Sequence, residues 1–203
     1  MTDPELRDQL LAMAAHDLEV RSRLASDGSL FDGYHPEMRA VHEANADALA
    51  EYIADRGWPT AAQVGDDGAE AAWLIVQHAI SRPALCRQVL PELQRLGASG
   101  AVPRWQAAYL EDRIRVFEGR PQVYGTSFDW DEDGLMSPRP IETPDQVDKR
   151  REAVGLGPFQ DAVDRHRAES QSEWQPEWKP TDMEQRRREI DAFAREVGWR
   201  PAT

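Results

Sequence analysis

The chain has 203 residues, 40% of them hydrophobic and 30% charged, with a formal net charge of -13, enough for one domain with a sizeable core. The acidic balance argues against a nucleic-acid partner, whose phosphates demand a basic face, and against an anionic membrane surface. Cys86 is the one cysteine, which rules out an intrachain disulfide and a cysteine-rich metal site.

The opening "MTDPELRDQL" carries neither a basic nor an apolar leader region, and no run approaches ~18 apolar residues, so a soluble cytoplasmic protein is expected. Leu6, Leu10, Met13, Val20 and Leu24 recur at helical spacing and predict a first helix over 4–25, with Pro4 in its first turn. After a loop of Gly, Asp and Ser, a second helix starts near Pro36 with Met38, Val41, Leu49 and Ile53 on one face. Gly57 and Pro59 stop it. The loop Gly65-Asp66-Asp67-Gly68 leads into "AAWLIVQHAI", apolar nearly all round and predicted as a central buried helix.

Pro83 begins a short helix with Leu85, Val89, Leu90 and Leu93, closed by Gly97. "VPRWQAAYLEDRIRVFEG" predicts a fifth, ending at Gly119. Residues 120–142, rich in proline and acid, read as an irregular excursion. Thr143-Pro144-Asp145-Gln146 is a capping box that predicts a helix over 144–153, and a short helix is expected from Phe159. "SEWQPEWKP" reads as an extended linker, and the capping box Thr181–Glu184 opens a last helix to about Val197. The expected architecture is predominantly all-α and single-domain. An irregular helical bundle spans 1–168, a Trp/Pro linker 169–180, and a C-terminal helix and tail 181–203.

Polar residues interrupt four of the apolar stripes. Asp17 falls within the first, Asn45 within the second, Gln77 and His78 within the buried helix, and Asp112 within the fifth. A buried carboxylate without a partner costs several kcal/mol. Asp17 and Asp112 must therefore be paired, and Arg21, Asn45, Gln77, His78 and Arg113 are the candidates. A structural network would satisfy this requirement, and so would a functional cleft.

Four segments, "GWPTAAQVGDDGAEAAWLIVQHA", "AAYLEDRI", "GRPQVYGT" and "VDKRREAVGLGPF", together resemble a family of bacterial proteins known only as a domain of unknown function. The likeness covers roughly residues 38 to 160. It implies a helical fold and no established activity. Trp58, Gln77, His78, Asp112, Arg113, Gln122, Tyr124, Gly125 and Thr126 match its motifs, and Arg151 and Gly155 its later segment. Ser127 stands where the family pattern ends in Gln. On this reading the turn Gly119-Arg120-Pro121 sends Gln122, Tyr124 and Thr126 back toward the cleft, with Gly125 providing a conformation that side chains resist.

Chemically, a histidine beside a carboxylate forms an acid/base pair. Asp112 would orient His78, Arg113 would hold an anionic group, and Tyr124 would donate a proton or hydrogen bond. The expectation is a small-molecule-binding protein, acting by hydrolysis, elimination or proton transfer on a small anionic substrate. His78, Asp112 and Tyr124 are the catalytic candidates. Asp17, Arg21, Asn45, Trp58, Gln77, Arg113, Gln122, Gly125, Thr126 and Arg151 are the binding candidates. His16-Asp17, His42-Glu43 and His78 could be assembled with Asp112, in loose analogy to helical metal-dependent phosphohydrolases. The spacings that make such motifs specific are missing, so no metal or other cofactor is expected. "DWDEDG" opens like a calcium loop, but Pro140 stands where a bidentate Glu belongs. The alternative is a non-enzymatic interaction or regulatory module with a structural polar core. Trp174, Trp178 and Trp199 flank a C-terminal helix that would dock on the domain, on a second copy or on another protein.

Overall fold

A computed structural model describes residues 2–31, 33–131, 135–172 and 183–202. Helices dominate, as the periodicity predicts. By its own contacts the chain forms two compact units, Met1–Val102 and Pro103–Thr203, a division inside the predicted 1–168 domain. Among the described residues no helix is long and apolar enough to cross a membrane.

The first unit contains α1 (Pro4–Ser26), α2 (Pro36–Arg56), α3 (Ala61–His78) and α4 (Pro83–Ser99). Local chemistry sets their ends. Asp3 accepts the Leu6 amide at the start of α1 at 3.0 Å, and Gly57, at φ 75°, ends α2. The α3 start differs from the prediction. Helix begins before the Gly-Asp-Asp-Gly stretch, where Gln63 Oε1 accepts the Thr60 amide at 2.9 Å. Gly65 (φ 76°, ψ 167°) makes a break within it rather than a loop before it. Helices α1, α2 and α3 pack on one another. Leu10, Ala46, Leu49, Val64, Ala72 and Ile75 form their interior.

The second unit holds α5 (Arg104–Phe117), α6 (Val147–Ala153), α7 (Phe159–Ser172) and α8 (Met183–Glu196). Within the irregular stretch a short antiparallel hairpin appears, β1 (Phe128–Trp130) with β2 (Met136–Pro138), Asp129 opposite Ser137. Strands of three residues are too short to show an alternating pattern, so the sequence carried no signal for them. The Thr143 box departs from expectation too. Thr143 adopts φ 48° and gives no side-chain cap, and a 3-10 turn over Pro144–Gln146 precedes α6. The "SEWQPEWKP" segment, with Trp174 and Trp178, and the Thr181 box lie outside the described residues, as does part of "DWDEDG".

The C-terminal helix docks within its own unit. Trp199, 3% exposed, stacks on Phe117 with centroids 5.5 Å apart, and Phe193 meets the same ring edge-on at 6.2 Å. Arg200 Nε donates to the Phe117 carbonyl at 2.8 Å, closing the C-terminal end of α5. Arg200→Ala is expected to cost about 1–2 kcal/mol, measured by urea unfolding, because it strips a charged donor from helix-end carbonyls. An unchanged midpoint would show that water replaces the guanidinium without loss.

Candidate functional site

Three helices of the first unit each bring one polar side chain to a common point. Asp17 lies on the inner face of α1, His42 on α2, and His78 is the last residue of α3. Asp17 is 1% exposed. Its Oδ2 lies 2.8 Å from His78 Nδ1 and 3.3 Å from His42 Nε2. The two imidazoles face each other with centroids 4.8 Å apart. Oδ1 is equally buried and meets no hydrogen-bond donor among the described residues.

Charge and burial oppose each other here. Burial alone would raise the Asp17 carboxyl. The hydrogen bond with His78 and the close approach of His42 outweigh it and hold the group well below the usual carboxylate range. A buried charge is thus retained, which a core histidine packed for volume alone does not require. His42 is itself positioned from behind. Tyr34, on the loop between α1 and α2, places its hydroxyl 2.8 Å from Nδ1, and burial pushes this phenol up to about 12. Tyr34 packs with Leu30 against Val20, Leu24 and Met38, so apolar burial anchors the loop that supports the ring.

The His78 side chain keeps 25% of its surface and His42 12%, whereas Asp17 keeps 1%. The centre is therefore a buried anion with a histidine face turned toward solvent. Around it runs an ion-paired rim. Arg39 Nε donates to Glu43 at 2.9 Å, and Arg82 donates to Asp47 at 2.7 Å with Glu43 3.3 Å away. Asp17, His42 and His78 are also the one set among the described residues with the donor types and spacing of a metal site, their ligand atoms lying within 4.8 Å of one another.

The other first-unit candidates do different work. Arg21, one of the candidate partners of Asp17, is exposed; His78, another of them, and His42 stand at the carboxylate. Asn45 is buried and donates to the Met13 carbonyl at 3.3 Å, tying α2 to α1. Gln77 is buried beside the centre in sequence, and His16 is exposed. Trp58, 3% exposed, is a core residue whose amide donates to Glu92 at 3.0 Å.

The second unit holds the remaining candidates. Asp112 is fully buried, and the carboxylate that holds His78 is Asp17, not Asp112. Asp112 instead accepts from the amides of Val123 at 2.6 Å, Tyr124 at 3.1 Å and Thr126 at 3.1 Å, and from the Thr126 hydroxyl at 3.0 Å. Gln122, fully buried, donates to the carbonyls of Ser127 at 3.0 Å and Arg139 at 2.8 Å, and accepts the Ser127 amide at 2.8 Å. Arg151, 3% exposed, reaches from α6 to the carbonyls of Gly157 at 2.7 Å and Tyr124 at 2.8 Å. Gly125 sits at φ 66° in this closed circuit. The Gln-x-Tyr-Gly-Thr segment is thus a backbone bend stitched to α5 and α6. Tyr124 and Arg113 stay half-buried, and burial raises the Tyr124 phenol.

Sequence reading placed His42 only in the metal comparison and missed Tyr34. The signal for His42 was present: it follows Met38 by four residues and precedes Asn45 by three, so it shares their face. Tyr34 sits in a loop, where periodicity says nothing. Among known proteins, a family described as a family of unknown function (DUF6624) matches residues 4–169. No curated protein and no solved structure matches the chain.

Proposed function

Because the chain belongs to this family of unknown function, we propose its function from the site itself: it binds a small molecule at the Asp17–His42–His78 centre and transforms it by proton transfer, in hydrolysis or elimination. The observation that carries this reading is one carboxylate oxygen shared by two imidazoles, with the carboxylate sealed and His78 a quarter exposed. Asp17 fixes the His78 ring through Nδ1, so the exposed part of the ring faces an incoming molecule or water. His42, backed by Tyr34, holds the same oxygen from a second helix. The anionic preference expected from Arg113 finds no support at this centre. The nearby Arg39 and Arg82 are paired with Glu43 and Asp47, so the substrate is assigned no charge.

A thermal-shift screen of small metabolites on the full chain and on His78→Ala tests this. A ligand present at about 100 times its dissociation constant adds ~2.7 kcal/mol to the native state, a shift of several degrees. The expected result is such a shift in the wild type and none in His78→Ala. An equal shift in both proteins places the binding site elsewhere. A destabilised variant with no ligand response in either protein favours the structural polar core.

A further inference from the structure

We propose that Asp17, His42 and His78 form a site for one divalent transition-metal ion of the zinc class. The inference rests on the reading of this centre as the working one, and it names the group that handles the proton: a water on the ion rather than a bare imidazole.

The first ground is donor type and spacing. Two imidazole nitrogens and a carboxylate oxygen are ligands that zinc and its neighbours take. A tetrahedral ion with bonds of about 2.0–2.1 Å holds adjacent ligand atoms roughly 3.3 Å apart. Asp17 Oδ2 lies 3.3 Å from His42 Nε2, at that value, and 2.8 Å from His78 Nδ1, short of it by a distance that a small opening of the rings would supply.

The second ground is the division of labour on the carboxylate. A buried Asp serving only as a hydrogen-bond acceptor gains most by spreading donors over both oxygens, as Asp112 does. Asp17 has both imidazoles on Oδ2 and no hydrogen-bond donor on Oδ1, although it is 1% exposed. Crowding of imidazole nitrogens around one oxygen is how a carboxylate stands when all three share an ion. Oδ1 remains as a further oxygen for the same ion.

The third ground is support from behind. A ligating histidine uses its other ring nitrogen in a hydrogen bond that fixes the ring. His42 does this through Nδ1 to Tyr34 at 2.8 Å. With three protein ligands, a tetrahedral ion keeps a fourth position for water, and His78 gives the centre its exposed side. Water on such an ion ionises near pH 7 instead of about 15.7. That is the proton transfer the proposed function requires.

The experiment is calorimetric titration of metal-stripped full-length protein with zinc chloride, repeated with cobalt(II), whose visible absorption reports the coordination number and geometry of the bound ion. The variants are Asp17→Asn, His42→Ala, His78→Ala and Tyr34→Phe, with the exposed His16→Ala as control. One equivalent is expected to bind. The ligand variants should weaken it about 100-fold or more, Tyr34→Phe about 10-fold, and His16→Ala not at all. Circular dichroism of each metal-free variant shows that it is folded, and Tyr34→Phe, which removes one hydroxyl, keeps the test valid should a ligand variant unfold. Zinc binding that is the same in wild type and His42→Ala, or no binding at all, overturns the site. If zinc fails while a metabolite still stabilises the wild type and not His78→Ala, the metal is wrong and the small-molecule reading stands. If zinc binds as described and no metabolite does, the metal site stands and the small-molecule reading falls.

Discussion

Alanine in place of Asp112 is expected to cost the second unit about 4 kcal/mol or more, a large share of the stability of a domain this size. The carboxylate receives three backbone amides and one hydroxyl, from Val123, Tyr124 and Thr126. Truncation leaves those donors facing a void from which water is excluded. Each orphaned donor costs about 1–3 kcal/mol, and four of them reach about 4 kcal/mol at the low end. Asp112→Asn should fall between, since its one remaining carbonyl oxygen still accepts while its amide meets a second donor. Urea unfolding of the full chain reads both variants. A loss under about 1 kcal/mol for the alanine variant would show that the bend holds itself.

Gly125→Ala is expected to cost about 2–5 kcal/mol, from two separable causes. Its φ of 66° is left-handed, which costs a side chain about 1–2 kcal/mol. A Cβ there would also lie 2.6 Å from Phe159 Cε2 and 2.8 Å from Cδ2. The Phe159 amide is bonded to Asp148 at 2.6 Å and the Arg151 guanidinium lies 5.9 Å from the ring centroid. Gly155→Ala isolates the first cause, because Gly155 has φ 79° and nothing within 4 Å of its would-be Cβ. The Gly125 variant should therefore be the less stable of the two by about 1–3 kcal/mol. Equal midpoints in urea would mean that Phe159 swings aside.

These two positions bear on how the family pattern is read. Gln122, Tyr124, Gly125 and Thr126 form a run that looks like a binding loop. In the fold, the side chains of Gln122 and Thr126 and the backbones of Tyr124 and Gly125 close one bend. Ser127 takes part in that bend through its backbone, since Gln122 meets its amide and its carbonyl. A polar run in a sequence thus reads equally well as a ligand site or as a bend, until its hydrogen bonds are traced.

Helix positions, and several of their ends, were legible because their causes are local. Pro4, Pro36 and Pro83 open helices and Gly57 closes one, through constraints acting within a turn. Periodicity also found Asp17, Asn45, Gln77 and Asp112 on inward faces, and all four are buried. It was blind to the three-residue strands and to Tyr34, which have no repeating pattern to reveal them.

By itself, the order of residues determined which side chains turn inward, since a helix's face follows from its own spacing of 3.6 residues per turn. It also determined that two buried carboxylates had to find donors. Which donors they found was decided only by tertiary structure. Residues 17, 42 and 78 meet because their three helices pack on one another, and no local rule couples positions that far apart. Asp17 thereby gained two imidazoles and a solvent-facing edge, while Asp112 met backbone amides that consumed it.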